Sequence, residues 1–142
     1  MKKVLYLSVL TLLMCTACGK KNFSCSMEQT VSDNTVINTV EASFKGKKLS
    51  STKMIIETKL SDEYTDYIDV FEKDLETYYK QYKDKNGIKM DINSSGNVVR
   101  LEITIDINKV SDKDKKELGM TNSNVDYKSS KKSFESMGYT CK

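Results

Sequence analysis

Residues 62–86 read DEYTDYIDVFEKDLETYYKQYKDKN, and the period of this stretch decides the fold. Tyr64, Ile68, Phe71, Leu75, Tyr78 or Tyr79, and Tyr82 recur every three or four positions, which lines them up on one stripe of an α-helix. Asp62 and Glu63 suit the positive N-terminal end of that helix, Lys83 and Lys85 suit its C-terminal end, and Gly87 is placed to stop it. Asp69 with Lys73, and Glu76 with Lys80, are spaced i to i+4 on the wet face, each pair contributing about 0.2–0.5 kcal/mol. On both sides of this segment the apolar period drops to two.

Upstream, Phe23, Cys25 and Met27 alternate with Ser24, Ser26 and Glu28, as in a strand with one buried face. Val36, Val40, Ala42 and Phe44 repeat the pattern. After a Gly46 turn, Thr52, Met54, Ile56 and Leu60 do so again. Three strands on short connections predict an antiparallel meander. Downstream, Ile88, Met90 and Ile92 alternate, Ser94-Ser95-Gly96-Asn97 turns, and Val99, Leu101, Ile103, Ile105 and Ile107 return. A short helical turn is expected over 111–118, stopped by Gly119, then a polar loop over 120–124. A last helix is expected over 126–137, with Tyr127, Phe134 and Met137 on one stripe and Gly138 as terminator, before an extended tail with Tyr139 and Cys141. One-sided strands and one-sided helices bury their faces most simply in two layers. The expected fold is therefore α+β: an antiparallel β-sheet in β-β-β-α-β-β-α order with helices packed on one face, forming a single domain over 23–142.

The chain has 142 residues, 38% hydrophobic and 30% charged, with no His, Pro or Trp. Without imidazole, Ser-His-Asp and Cys-His triads and His-ligated zinc are excluded. Carboxylates, Lys and Tyr remain as general bases. The sequence carries no phosphate loop, nucleophile elbow or dinucleotide fingerprint.

Lys2 and Lys3 open the chain, and the apolar run over 4–14 leads to Cys15-Thr16-Ala17-Cys18. This has the plan of a secretory signal, and it is too short for the roughly 20 residues that span a bilayer. Residues 12–18 resemble the bacterial lipoprotein signal, with Cys15 standing where that signal usually has leucine. The resemblance implies a signal peptide over 1–17, acylation of Cys18 on sulfur, a lipidated tether over 18–22, and a location on the extracytoplasmic face of the cell membrane. The other reading is an ordinary cleaved signal that releases a soluble protein. Loss of Lys2 and Lys3 leaves 21 basic against 20 acidic residues, so charge makes no case for nucleic acid as partner. Lys20 and Lys21 are placed to meet anionic headgroups or simply to solvate a tether.

With Cys15 removed and Cys18 acylated, Cys25 and Cys141 remain. An even pair in an exported domain points to a disulfide; the other reading is two reduced, buried thiols. No C-x-x-C pair marks a redox site.

Among candidate sites, the tyrosines of residues 62–86 stand out. Tyr67 and Tyr79 would lie at the edge of the apolar stripe, where amphipathic rings either stack on a glycan or peptide or cover the sheet edge. Asp112, Asp114 and Glu117 glance at a calcium loop, but Lys116 stands where an oxygen ligand is needed. Arg100, Glu102 and Asp106 alternate as on a solvated sheet face. No metal or cofactor is expected.

The element order, Asn86-Gly87-Ile88-Lys89-Met90 before a hairpin, and Val125-Asp126-Tyr127-Lys128 leading to Phe134-Glu135-Ser136-Met137-Gly138-Tyr139, resemble the YehR-like family of small bacterial lipoproteins. The resemblance implies a two-layer α+β fold on a lipid anchor and carries over no activity. The functional expectation is a non-enzymatic, membrane-anchored module of the cell envelope that binds a ligand or protein partner. Its rivals are a carboxylate-dependent enzyme acting on cell-wall polymers and a structural accessory subunit of an envelope complex.

Overall fold

The structure, a computed structural model, describes residues 19–83, 85–118, 120 and 125–142. The expected signal over 1–17, the acylated Cys18, the terminator Gly119 and all of the 120–124 loop except Met120 lie outside the described residues. Strands β1 (Lys20–Val31), β2 (Asn34–Lys45) and β3 (Lys48–Lys59) form the expected meander. A 3-10 helix, Asp62–Tyr67, leads into helix α1 (Ile68–Lys83). The hairpin β4 (Ile88–Ser95) and β5 (Val98–Asp106) follows, then helices α2 (Asp112–Glu117) and α3 (Tyr127–Ser136) and a short strand β6 (Thr140–Cys141).

Among the described residues all pairings are antiparallel, and six strands lie in the order β4-β5-β3-β2-β1-β6 in one open sheet. The class expected from the sequence holds: helices cover one face. The strand count is corrected from five to six, because the tail pairs with the outer edge of β1. Ser24 and Lys142 exchange both backbone hydrogen bonds, at 3.3 and 2.8 Å. Cys25 and Cys141 are then a non-hydrogen-bonded pair, the register that brings side chains closest, and a disulfide joins them. A two-residue strand has no alternation to read, which is why periodicity missed it.

Two more boundaries move. β1 begins at Lys20, so Lys20, Lys21 and Asn22, read as tether, pair with Lys45, Phe44 and Ser43 inside the sheet. The first turn after β3 is a 3-10 helix rather than the start of α1. There the Tyr64 N–H donates to the Ser61 carbonyl, and the Thr65 hydroxyl donates to the Asp62 carbonyl at 2.9 Å. The Leu60 backbone just before it is held from both sides by Asn97, through a backbone and a side-chain hydrogen bond. These bonds hold the chain where it leaves the sheet, directly before the 3-10 turn.

The core is divided. At the β1–β2 side, Phe23, Cys25, Ala42 and Phe44 are buried beneath Tyr127 and Phe134 of α3, with ring centroids 5.7–5.9 Å apart. At the β4–β5 side, Ile88, Leu101, Ile103, Ile105 and Val110 are buried, with Tyr79 and Tyr82 of α1 packed against them. Each fully buried aliphatic or aromatic side chain contributes about 1.5–3 kcal/mol. Among the described residues the opposite face carries no helix. There Lys53–Glu102 (2.9 Å), Arg100–Glu57 (2.8 Å) and Arg100–Glu102 (3.2 Å) make a strip of ion pairs. Hydrogen bonds from Lys53 and then Arg100 hold the Glu102 carboxyl below its ordinary value.

Candidate binding site

Between the two core clusters the helical layer leaves a gap. Consecutive register rows place Val40, Met54 and Ile103 side by side, with Thr52, Ile105 and Ile88 in the next row. These residues floor a cavity of about 330 Å³. Tyr79 and Tyr82 from α1, and Glu117, Leu118 and Met120 at and after the end of α2, wall it. The volume is at the lower end of the range for small-molecule sites, and an apolar lining with a few polar groups is their usual chemistry.

The helix leaves this space because its stripe is composed of long, half-buried side chains. None of the residues of α1 is fully buried. Tyr79 and Tyr82 stand one turn apart with centroids separated by 6.3 Å, and Tyr78 packs edge-on to Tyr79. Burial, with the neighbouring Tyr78 and Tyr82 hydroxyls, pushes the Tyr79 phenol above its ordinary value, so it stays neutral and able to donate a hydrogen bond.

The rim is tied by Lys85. Its ammonium reaches Asp114 at 2.6 Å and also pairs with Glu117, and it lies 5.7 Å from the Tyr82 ring centroid. These contacts clasp α2 to the end of α1. The hydrogen bond to Asp114, then that to Glu117, raises the Lys85 pKa, and Lys85 in turn lowers that of Asp114. Ser111 caps α2 by accepting from the Asp114 N–H. Asp112 and Asp114 thus serve a helix start, with Asp112 bound to Lys115 at 3.2 Å. Among the described residues no cluster of three or more potential ligands gathers for a metal ion. The cavity presents one carboxylate among its lining residues, Glu117, and it is spent on Lys85. A second depression, of about 500 Å³, is lined largely by polar and charged residues around Lys85, Lys89, Asp106 and Lys109.

The two tyrosines singled out from the sequence do not form one surface. Tyr79 faces inward and lines the cavity, whereas Tyr67, in the 3-10 helix, is 59% exposed, together with Tyr64 and Val70. They lie twelve positions apart along the helical segment, about 18 Å at the α-helical rise. Sequence reasoning missed Tyr82 and Lys85 as site residues. Tyr82 was readable from the apolar stripe. The Lys85 pairing, 29 and 32 residues away along the chain, has no local signal.

In sequence the chain matches no protein-family model and no curated protein. In structure it is similar to a protein from Streptococcus pneumoniae TIGR4 solved by NMR, with a TM-score of 0.63 at 16% identity, over 87% of this chain and 86% of that one. It is also similar to the E. coli YehR protein, solved by NMR, with a TM-score of 0.61 at 16% identity, over 87% of this chain and 92% of that one. At the level of the fold, the expected likeness to YehR is present.

Proposed function

We propose that this protein is a membrane-anchored extracytoplasmic lipoprotein, acylated at Cys18, that acts without catalysis by holding a small apolar ligand between α1 and the sheet. The observation that carries the binding role is the 330 Å³ cavity itself, floored by aliphatic side chains and edged by the Tyr79 and Tyr82 phenols. A site of this kind binds by excluding water from an apolar body and fixes orientation with a hydroxyl. Supporting the anchor are the apolar run before Cys18 and the start of β1 only two residues after it. The exported setting also suits a domain whose last strand is closed by a disulfide.

The test is a titration with an anilinonaphthalene sulfonate dye, read by dye emission. The native protein is expected to bind saturably, and Val40→Phe, which fills the floor, is expected to weaken binding at least about tenfold. Equal binding by a Val40→Phe protein of unchanged near-ultraviolet dichroism would refute the cavity as the site.

A further inference from the structure

The sheet has two unlike ends. Lys20 begins β1, Lys45 ends β2 and Lys48 begins β3, and the register sets Lys20 opposite Lys45 and Lys45 opposite Lys48. Lys47 occupies the turn between them, and Lys21 lies with its ammonium 6.0 Å from the Tyr127 ring centroid. All five are exposed. Like charges directly opposite one another in a sheet are destabilising. Among the described residues none of the five has a carboxylate within ion-pair distance. The far ends of the same three strands carry the opposite sign: the β1–β2 turn holds Asp33, and Asp62, Glu63 and Asp66 follow β3, against Lys59. The β1–β3 meander is therefore polarised along its strands, while β5 brings Asp106, paired with Lys109, to the lysine-bearing end, opposite Ser51.

We propose that the lysine-bearing end of β1, β2 and β3 is a docking face for the anionic headgroup layer of a bilayer. An anionic surface relieves the repulsion that the fold imposes on Lys20, Lys45 and Lys48. The geometry matches, because Gly19 alone separates β1 from Cys18. With the acidic end directed away, the three strands stand off the membrane. The attraction of each lysine near such a surface is worth about fivefold in partitioning, and it fades within a Debye length of roughly 8–10 Å.

The proposal is independent of acylation and is tested without it. Residues 19–142 contain every strand among the described residues, both core clusters and the disulfide, so this segment carries the whole described fold. It is prepared oxidised, with a blocked amino terminus, and sedimented with phosphatidylcholine vesicles with and without phosphatidylglycerol. Binding is expected only with phosphatidylglycerol and is expected to weaken as salt rises. Lys45→Gln with Lys48→Gln is expected to cost about 25-fold. Lys59→Gln with Lys73→Gln, which removes the same charge elsewhere, is expected to leave binding unchanged. Equal loss in both double variants would overturn the proposal, as would equal binding to neutral vesicles. Retention by soluble polyphosphate as strong as by vesicles would also overturn it in favour of a free polyanion.

Discussion

Gly87 shows how a single residue sets the geometry of the site. It sits between α1 and β4 at φ +82°, and a Cβ there would lie 2.8 Å from the Lys109 Cβ and 2.9 Å from two atoms of Val110. The Gly87 carbonyl also accepts from the Asp106 N–H at 2.8 Å. Gly46 shares the positive φ, at +64°, but has open space around it. Gly46→Ala is expected to cost about 1–2 kcal/mol for backbone conformation alone. Gly87→Ala is expected to cost clearly more, because overlap adds to strain. Urea midpoints of the two variants give the order, and equal midpoints would contradict it. Cys25 and Cys141 make a second case at this scale. Their disulfide closes a loop of 116 residues, so replacing both by Ala is expected to cost roughly 2–4 kcal/mol, read from the same urea curves. Cysteine arithmetic made this pair legible in the sequence, but its place at a sheet edge was not, because β6 is only two residues long.

Among the elements, α1 was the most legible, since its stripe of Ile68, Phe71, Leu75, Tyr79 and Tyr82 survives as the half-buried face. Its first turn was misread because Asp62, Tyr64 and Thr65 fit an α-helix as well as a 3-10 helix. Just before that turn, Asn97 holds the Leu60 carbonyl, a contact 37 residues apart that no local pattern shows. The clasp of α2 onto α1 was equally invisible, and it has a pH dependence. The Asp114 carboxyl lies below its ordinary value of 3.8, so its contribution is present above that value and is lost as pH falls through the lowered one. Lys85 lies above its ordinary 10.5, so its contribution is complete below 10.5 and is lost as pH rises beyond. Lys85→Met is therefore expected to melt at a lower temperature than the native protein between about pH 5 and 9, with the difference shrinking below about pH 4. Thermal melts of both proteins across pH check this, and a difference that persists undiminished in acid would contradict it.

At the scale of the whole molecule, alternation in residues 23–27, 36–44, 52–60, 88–92 and 99–107 was enough for a one-sided antiparallel sheet with helices on its apolar face. It could not give the strand order, because which strand β5 joins depends on the crossover rather than on any local pattern. The gap over Val40 and Met54 was hidden for a related reason: each residue looks like core, and only the spacing of α1 from α3 leaves them half covered. The same assembly makes five dispersed lysines into one basic end, next to the residue expected to carry lipid. Under the proposed reading, anchor and basic end act together to hold a small body upright on a membrane. The most direct test is the mass of the N-terminal peptide of the native protein isolated from membranes. The expected result is a peptide beginning at Cys18 and heavier by its acyl groups, lost in favour of the soluble fraction in Cys18→Ser. A native chain that retains Met1, or that begins near Cys18 with a bare thiol, would contradict the account.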